Sequence, residues 1–279
     1  MILTSFSRRR HAEEGSEKMS EYGEKKIVTE LYHDNFQNYK RYGIPKAQLV
    51  IADIPYNLAE NAYASNPEWY IDGDNKNGES KKAKKAFFNG DGDFNLNEFF
   101  HFCGKLLKKE PKEKGKAPCM IVFCSFEQMP MLISIAREHG YMHYIPLVFC
   151  KNYSAQVLKA NMKIVGATEY ALLLYRDKLP KFNNQRKMIF NWFEWRRDSM
   201  GEYPKIHPTQ KPVGILKRLI EIFTDKGDVV IDPCAGSGST LRAAMELERS
   251  SYGFETNTQY YRLAKEKMLI PIYVQQKLC

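Results

Sequence analysis

The 279-residue sequence has no apolar run near the roughly 20 residues that a membrane-spanning helix needs, so a membrane protein is not expected. Its six cysteines, at 103, 119, 124, 150, 234 and 279, form no C-x-x-C pair. Its six histidines supply no metal spacing such as H-E-x-x-H. Neither a disulfide scaffold nor a structural metal site is expected, and reduced cysteines in a cytoplasmic protein are the simplest reading. The first 25 residues carry Arg8, Arg9 and Arg10 beside Glu13, Glu14 and Glu17 but no apolar core, so they read as a flexible arm rather than a signal peptide. No internal repeat is present, and tryptophan is scarce.

What is present is unevenly placed. The hydrophobic fraction, 43%, is enough for a real core, which excludes disorder throughout. The net charge is +9, and residues 151–218 alone hold fourteen Lys/Arg against five acids, which is the whole of that excess. The same stretch carries Phe182, Phe190, Trp192, Phe193 and Trp195, including two of the three tryptophans. Cations release counterions from phosphates, and aromatics stack on bases, so nucleic acid is the leading partner. A solvated face over ordinary core aromatics is the competing reading of this stretch.

Short apolar runs alternate with helical patterns. Gln48–Asp53, Cys119–Cys124, Tyr144–Cys150, Tyr170–Tyr175, Asp228–Asp232 and Ser251–Glu255 read as strands. Asn97–Leu107, Glu127–His139, Val213–Phe223 and Ser239–Glu248 read as helices. Residues 57–95, rich in Asn, Gly, Asp and Lys, read as a long loop or lid. The alternation predicts an α/β, Rossmann-like fold: mostly parallel strands with helices on both faces.

Two turns stand out. In Val229-Val-Ile-Asp-Pro-Cys-Ala-Gly-Ser-Gly-Ser-Thr240 a buried strand runs into a glycine turn and then a helix, and Gly236 and Gly238 let the backbone approach a ligand. Glu255, at the end of the next strand, is placed to accept hydrogen bonds from ribose hydroxyls. Leu241 stands where a third dinucleotide glycine would be, and the phosphate loop G-x-x-x-x-G-K-S/T is absent. A glycine turn without a ligand is the plain alternative. The second turn is Asp53-Ile54-Pro55-Tyr56, with an acid, a stiffened turn and an aromatic at a strand's carboxyl end. A carboxylate and a nearby carbonyl can accept two hydrogen bonds from one amino group, while Tyr56 stacks on its ring. An ordinary strand-ending turn would look the same.

Together these residues resemble the DNA amino-methyltransferases that modify adenine N6 or cytosine N4. Asp53–Tyr56 is similar to that family's catalytic tetrad, an Asp, Asn or Ser followed by Pro-Pro and an aromatic. His207-Pro-Thr-Gln-Lys-Pro212 resembles the segment before its cofactor loop, Asp232–Thr240 resembles its D-P-x-x-G-S-G-T loop, and Tyr252-Gly-Phe-Glu255 the strand that follows. The catalytic motif precedes the cofactor motif, which is the permuted order of the beta group. The resemblance spans roughly residues 30–270. Ile54 departs from the first proline of the tetrad but keeps the backbone carbonyl that the family uses there.

The resemblance implies S-adenosylmethionine as cofactor, with Asp232, Pro233, Cys234, Ala235, Gly236, Ser237, Gly238, Ser239, Thr240 and Glu255 around it. Thr209 and Lys211 are further cofactor candidates, Lys211 for the methionine carboxylate. Asp53, Ile54, Pro55 and Tyr56 become the catalytic group. Lys181, Arg186, Lys187, Trp192, Trp195, Arg196 and Arg197 become the DNA-binding group, while Glu169 reads as structural. Residues 26–175 form the catalytic half of one domain, 176–205 a basic, aromatic recognition segment, and 206–279 the cofactor half. Asp at the first tetrad position favours adenine over cytosine. A non-catalytic DNA-binding protein and a nicotinamide-dependent dehydrogenase are the readings of other classes. The sequence leaves open a homodimer and a companion restriction endonuclease.

Overall fold

The structure, a computed structural model, describes residues 26–55, 94–153, 156–159, 164–199, 201–207 and 209–271. The strands are β1 (Thr29–Tyr32), β2 (Leu49–Asp53), β3 (Cys119–Cys124), β4 (His143–Lys151), β5 (Gln156–Lys159), β6 (Ile164–Gly166), β7 (Thr168–Tyr175), β8 (Trp192–Trp195), β9 (Val229–Asp232) and β10 (Ser250–Phe254). The helices are α1 (Leu96–Leu106), α2 (Met129–Glu138), α3 (Val213–Phe223), α4 (Ser239–Glu246) and α5 (Thr258–Leu263).

Alternation of buried residues decides the architecture. On β2, Leu49 and Ile51 face one apolar cluster while Val50 and Ala52 face another; on β3, Ile121 and Phe123 oppose Met120 and Val122. Strands apolar on both faces require a sheet covered on both sides. Phe99, Phe100 and Phe102 of α1, with Leu132 of α2, cover one face. Val213, Leu216, Leu219 and Ile220 of α3, with Ala243 and Ala244 of α4, cover the other. Each fully buried Leu, Ile or Phe here contributes about 1.5–3 kcal/mol. Side-chain acceptors fix where α1 and α3 begin. Asn95 accepts from the N–H groups of Asn97 and Glu98 and starts α1, and the Asp198 carboxylate accepts from Val213 N–H at 3.0 Å and starts α3 from a distance.

The main sheet has eight strands in the order β1-β10-β9-β2-β3-β7-β4-β8, and β5 pairs with β6 as a separate antiparallel hairpin. All neighbouring pairs in the main sheet are parallel except those of β7, which runs against β3 and β4. The fold is therefore the mostly parallel, doubly covered α/β sheet that the alternation predicts. The carboxyl ends of β2, β9 and β10 lie side by side, and the reversal of β7 brings its first residues to that same end.

The chain then takes an unforeseen path. After β7 it emerges at the amino end of the sheet, where Lys181 N–H donates to Ala117 just before β3. Asn183 bonds the end of α3 through Glu221 O and Thr224 O. The chain next climbs the outer edge as β8, parallel to β4, with Trp195 level with Lys151. The expected recognition segment is thus partly an edge strand of the sheet. The expected N-terminal arm and nearly all of the expected 57–95 loop lie outside the described residues.

Candidate active site

The glycine turn is built as its sequence implies. Asp232 ends β9 and is buried; its Oδ1 accepts from Cys234 N–H at 2.9 Å, which closes the turn at Pro233. Ala235 N–H bonds Phe254 O at 2.9 Å, Gly238 N–H bonds Ala235 O at 2.7 Å, and the hydroxyls of Ser237 and Ser239 meet at 2.9 Å. Gly236 and Gly238 both have positive φ, at +50° and +78°. Their surroundings differ. A Cβ on Gly236 would meet nothing within 4 Å, whereas one on Gly238 would touch Ala264 and Leu269. Gly236 therefore borders open space, and Gly238 serves the packing of the turn against the chain's own core. Farther along, a Cβ on Gly253 would come within 2.8 Å of Leu241, so β10 needs glycine there to lie close behind α4.

Acidity is perturbed around this turn. Burial pushes the Asp232 carboxyl up to about 7, against the hydrogen bonds from Thr240 and Cys234, and the nearby Asp53 and Glu255 carboxylates add to the rise. Burial also raises Glu255, which follows directly on β10 and accepts from Asn257 N–H at 2.6 Å. Two acids at adjacent strand ends, flanking an open glycine, fit the ribose and amino groups of a nucleoside cofactor.

One strand over, at the end of β2, sits a four-charge cluster that sequence reasoning did not assemble. Asp53 Oδ2 lies 2.5 Å from Lys211 Nζ, which also lies 3.2 Å from Glu169 Oε2 on β7. Lys151, at the end of β4, forms a second ion pair with Glu169. Both lysine side chains are more than 90% buried. Their ammonium groups lie 5.2 Å (Lys151) and 5.7 Å (Lys211) from the Trp195 ring, and Lys211 lies 5.1 Å from the Phe123 ring. Burial pushes the Asp53 carboxyl above its ordinary range; Lys211 opposes the rise and Glu169 adds to it. The 31% exposure left to the Asp53 side chain moderates that push. At Glu169 burial acts upward too, but Lys211 and Lys151 together outweigh it and hold the carboxyl low. Asp53 Oδ1 is buried and has no hydrogen-bond partner among the described residues.

The tetrad turn is held from beside. Gln128, buried just before α2, donates from Nε2 to Pro55 O at 3.0 Å and accepts at Oε1 from Ser125 N–H at 3.0 Å. Ile54 is buried with its side chain in the core, and Tyr56 lies outside the described residues. Thr209 bonds His207 Nδ1 through its N–H and its hydroxyl, and burial together with Lys211 lowers His207 to about 4. Lys211, expected to meet a cofactor carboxylate, instead has Asp53 and Glu169 as partners. Glu169, read from sequence as merely structural, joins the catalytic candidate.

The expected DNA contacts divide. Trp195 is 2% exposed and packs on Phe123 and Phe149, so it has no face to offer a base. Lys181 is 7% exposed and paired with Asp225, so it is no phosphate contact as it stands. Both are corrections with one cause: the edge strand and the underside of the sheet take up side chains that the sequence shows only as basic and aromatic. Arg186 and Lys187 are exposed but precede β8, toward the amino end of the sheet. Met188, Phe190 and Trp192 are exposed beside them, with the rings of Phe190 and Trp192 stacked at 5.9 Å. Arg196 and Arg197 follow β8 at the carboxyl end; Arg196 bonds Glu194 at 2.8 Å, and Arg197 stacks 3.6 Å over Tyr153.

The sequence profile of the DNA methylase family, covering N6 and N4 methyltransferases, matches residues 47–266. DNA adenine methyltransferase YhdJ of Escherichia coli (strain K12) is 25% identical over 267 aligned positions, covering 86% of this chain and 82% of that protein. Among solved structures, the M1.HpyAVI–SAM complex superposes with a TM-score of 0.61 at 21% identity, over 86% of this chain and 99% of that one. The cytosine-N4-specific PvuII DNA methyltransferase gives 0.60 at 16% identity, over 90% and 91%. These two likenesses concern the fold. The profile's span takes in Asp53, the glycine turn and Glu255, and with it the chain belongs to the N6/N4 DNA methylase family.

Proposed function

We propose that the protein transfers a methyl group from S-adenosylmethionine to the exocyclic N6 of adenine in double-stranded DNA, with the target base flipped out of the helix. The observation that carries this reading is the Asp53 carboxylate. Its Oδ1 is a buried acceptor with no hydrogen-bond partner among the described residues, on a strand hydrogen-bonded to the one that ends in the glycine turn. Asp at this position and the likeness to a relative named as an adenine methyltransferase support adenine over cytosine.

An exocyclic amine is a poor nucleophile because its lone pair is delocalised into the ring. Asp53 Oδ1 and the Ile54 carbonyl accept its two hydrogens, favour a pyramidal nitrogen and free the lone pair. As the nitrogen bonds the methyl carbon, that carbon's bond to sulfur would break and leave a neutral thioether. Positive charge grows on nitrogen until one of its protons is lost to solvent, and a fixed carboxylate is worth most while that charge develops. Gln128, by holding the Pro55 carbonyl, keeps the turn in register so that the amine is presented in line. When bound, S-adenosylmethionine supplies an electrophilic sulfonium methyl. Asp232, the Gly236 backbone and Glu255 would hold it. Flipping costs a few kcal/mol of lost pairing and stacking, which capture in the Asp53 pocket and stacking by Tyr56 offset. Arg196 and Arg197, at the same end of the sheet, contact phosphates.

The test is to incubate the protein with unmethylated duplex DNA and labelled cofactor, then separate the nucleosides by mass. N6-methyladenine is expected. N4-methylcytosine would move the substrate to the other base, and no methylated nucleoside would sink the reading.

A further inference from the structure

We propose that Lys211 and Glu169 are positioning residues for methyl transfer: Lys211 holds Oδ2 of an ionised Asp53 so that Oδ1 faces the target amine, and Glu169, braced by Lys151, keeps Lys211 there. The inference rests on the methyltransferase reading and adds to it two residues that act through Asp53 rather than on the substrate. Burial disfavours the ionised form of an unpaired carboxylate, and a protonated carboxyl is a poorer acceptor for the amine. Lys211 at 2.5 Å opposes that. A single lysine between Asp53 and a cofactor carboxylate would have a choice of partner; Glu169 removes it by giving Lys211 a second protein anion at 3.2 Å. Lys151 in turn neutralises Glu169, so the four groups sum to zero charge. The Phe123 and Trp195 rings wall the ammonium groups and leave them little room to wander.

The groups around Asp53 come from every neighbouring element. They are Lys211 ahead of α3, Glu169 on β7, Lys151 on β4, Asp232 on β9, and the thiols of Cys124 and Cys234. Lys211 also faces His207. Removing the lysine leaves Asp53 among Glu169 and Asp232, so its protonation must shift to higher pH. Removing the charge of Glu169 takes away a like charge, so the shift must run the other way. Opposite signs are what a purely structural role would not produce.

The test combines two readouts on Lys211→Met, Lys211→Arg and Glu169→Gln. The first is the titration of the Asp53 carboxyl, followed by carbon-13 NMR in the free protein. The second is the pH profile of kcat, with the dissociation constant of S-adenosylmethionine measured alongside. Lys211→Met is expected to raise the Asp53 titration and the acid limb of kcat by about one pH unit or more. Glu169→Gln is expected to lower both, and Lys211→Arg to restore most of the wild-type profile. Cofactor affinity should stay within about threefold throughout. An Asp53 titration unmoved by Lys211→Met would overturn the inference. So would a loss of cofactor affinity in step with activity, which would make Lys211 a cofactor ligand. If the wild-type protein methylates no DNA, the functional reading fails, while the carboxyl titration still decides whether Lys211 and Glu169 govern Asp53.

Discussion

Among the described residues of 151–218, the sequence presents as one group cations that the fold separates into two. The side chains of Lys151, Lys181 and Lys211 are buried and paired with Glu169, Asp225 and Asp53. Arg186, Lys187, Arg196 and Arg197 are exposed or half-exposed, and of these only the last two reach the end of the sheet where Asp53 sits. A basic stretch therefore does two jobs. Its buried lysines neutralise carboxylates on other strands and turns of the fold, and only the remainder is available to phosphates. Local net charge overstates the DNA-facing surface, because it counts Lys181 and Lys211, whose counter-ions Asp225 and Asp53 lie outside the stretch.

Substitutions in each population can break that division. The largest effect is expected where the buried cluster meets chemistry. Asp53→Ala should lower turnover by about 10²–10³-fold, since it removes one preorganised acceptor. Cofactor and duplex affinity should change little, and near wild-type methyl transfer would end its catalytic assignment. Next comes the exposed pair at the carboxyl end. Replacing Arg196 and Arg197 together by Ala should reduce the slope of log duplex affinity against log salt by up to about 2, at roughly 0.9 per phosphate contact. An unaltered slope would place the DNA elsewhere.

Smaller effects sharpen the contrast. Lys181→Met should leave the salt slope untouched but cost about 1 kcal/mol of stability or less, because the half-exposed Asp225 loses its ion-pair partner but keeps Asn183, and most of the aliphatic stem survives. Chemical denaturation beside a salt titration separates the two. The least is expected from Arg186 and Lys187. Their joint replacement by Ala should shift the salt slope by well under 1, since they stand before β8 rather than after it. Equal slopes lost from this pair and from Arg196 with Arg197 would mean that the duplex runs the full height of the sheet edge.

Much of the frame was legible because its signals are local. Cys119–Cys124 is a continuous apolar run, and Val213–Phe223 has a clean helical stripe; both elements have the bounds read from sequence. The other expected elements differ by a few residues at their ends, where hydrogen bonding rather than apolarity sets the limit. The edge strand β8 was hidden because Trp192–Trp195 sits among charges that suggested a surface segment. At the site, the glycine turn and Asp53 announce themselves through spacing within a dozen residues. Glu169 does not: its partners stand 18 and 42 positions away, and a single acid on a strand has no local signature. Gln128 was missed for the same reason, since its role depends on Pro55, 73 positions earlier.

The reversal of β7 has a bearing on how such a protein could change its preferences. The chain leaves β4 at Lys151 and returns on β7 at Thr168, both at the rim where Asp53 sits, with the β5–β6 hairpin between. Both anchors belong to long, well-paired strands, so the excursion between them can lengthen or shorten while the frame stays fixed. Each doubling of such a connection costs only about 0.6 kcal/mol in closure entropy. The 152–167 excursion is thus a place for grafting, where new recognition can be written beside the reaction centre without redesigning it.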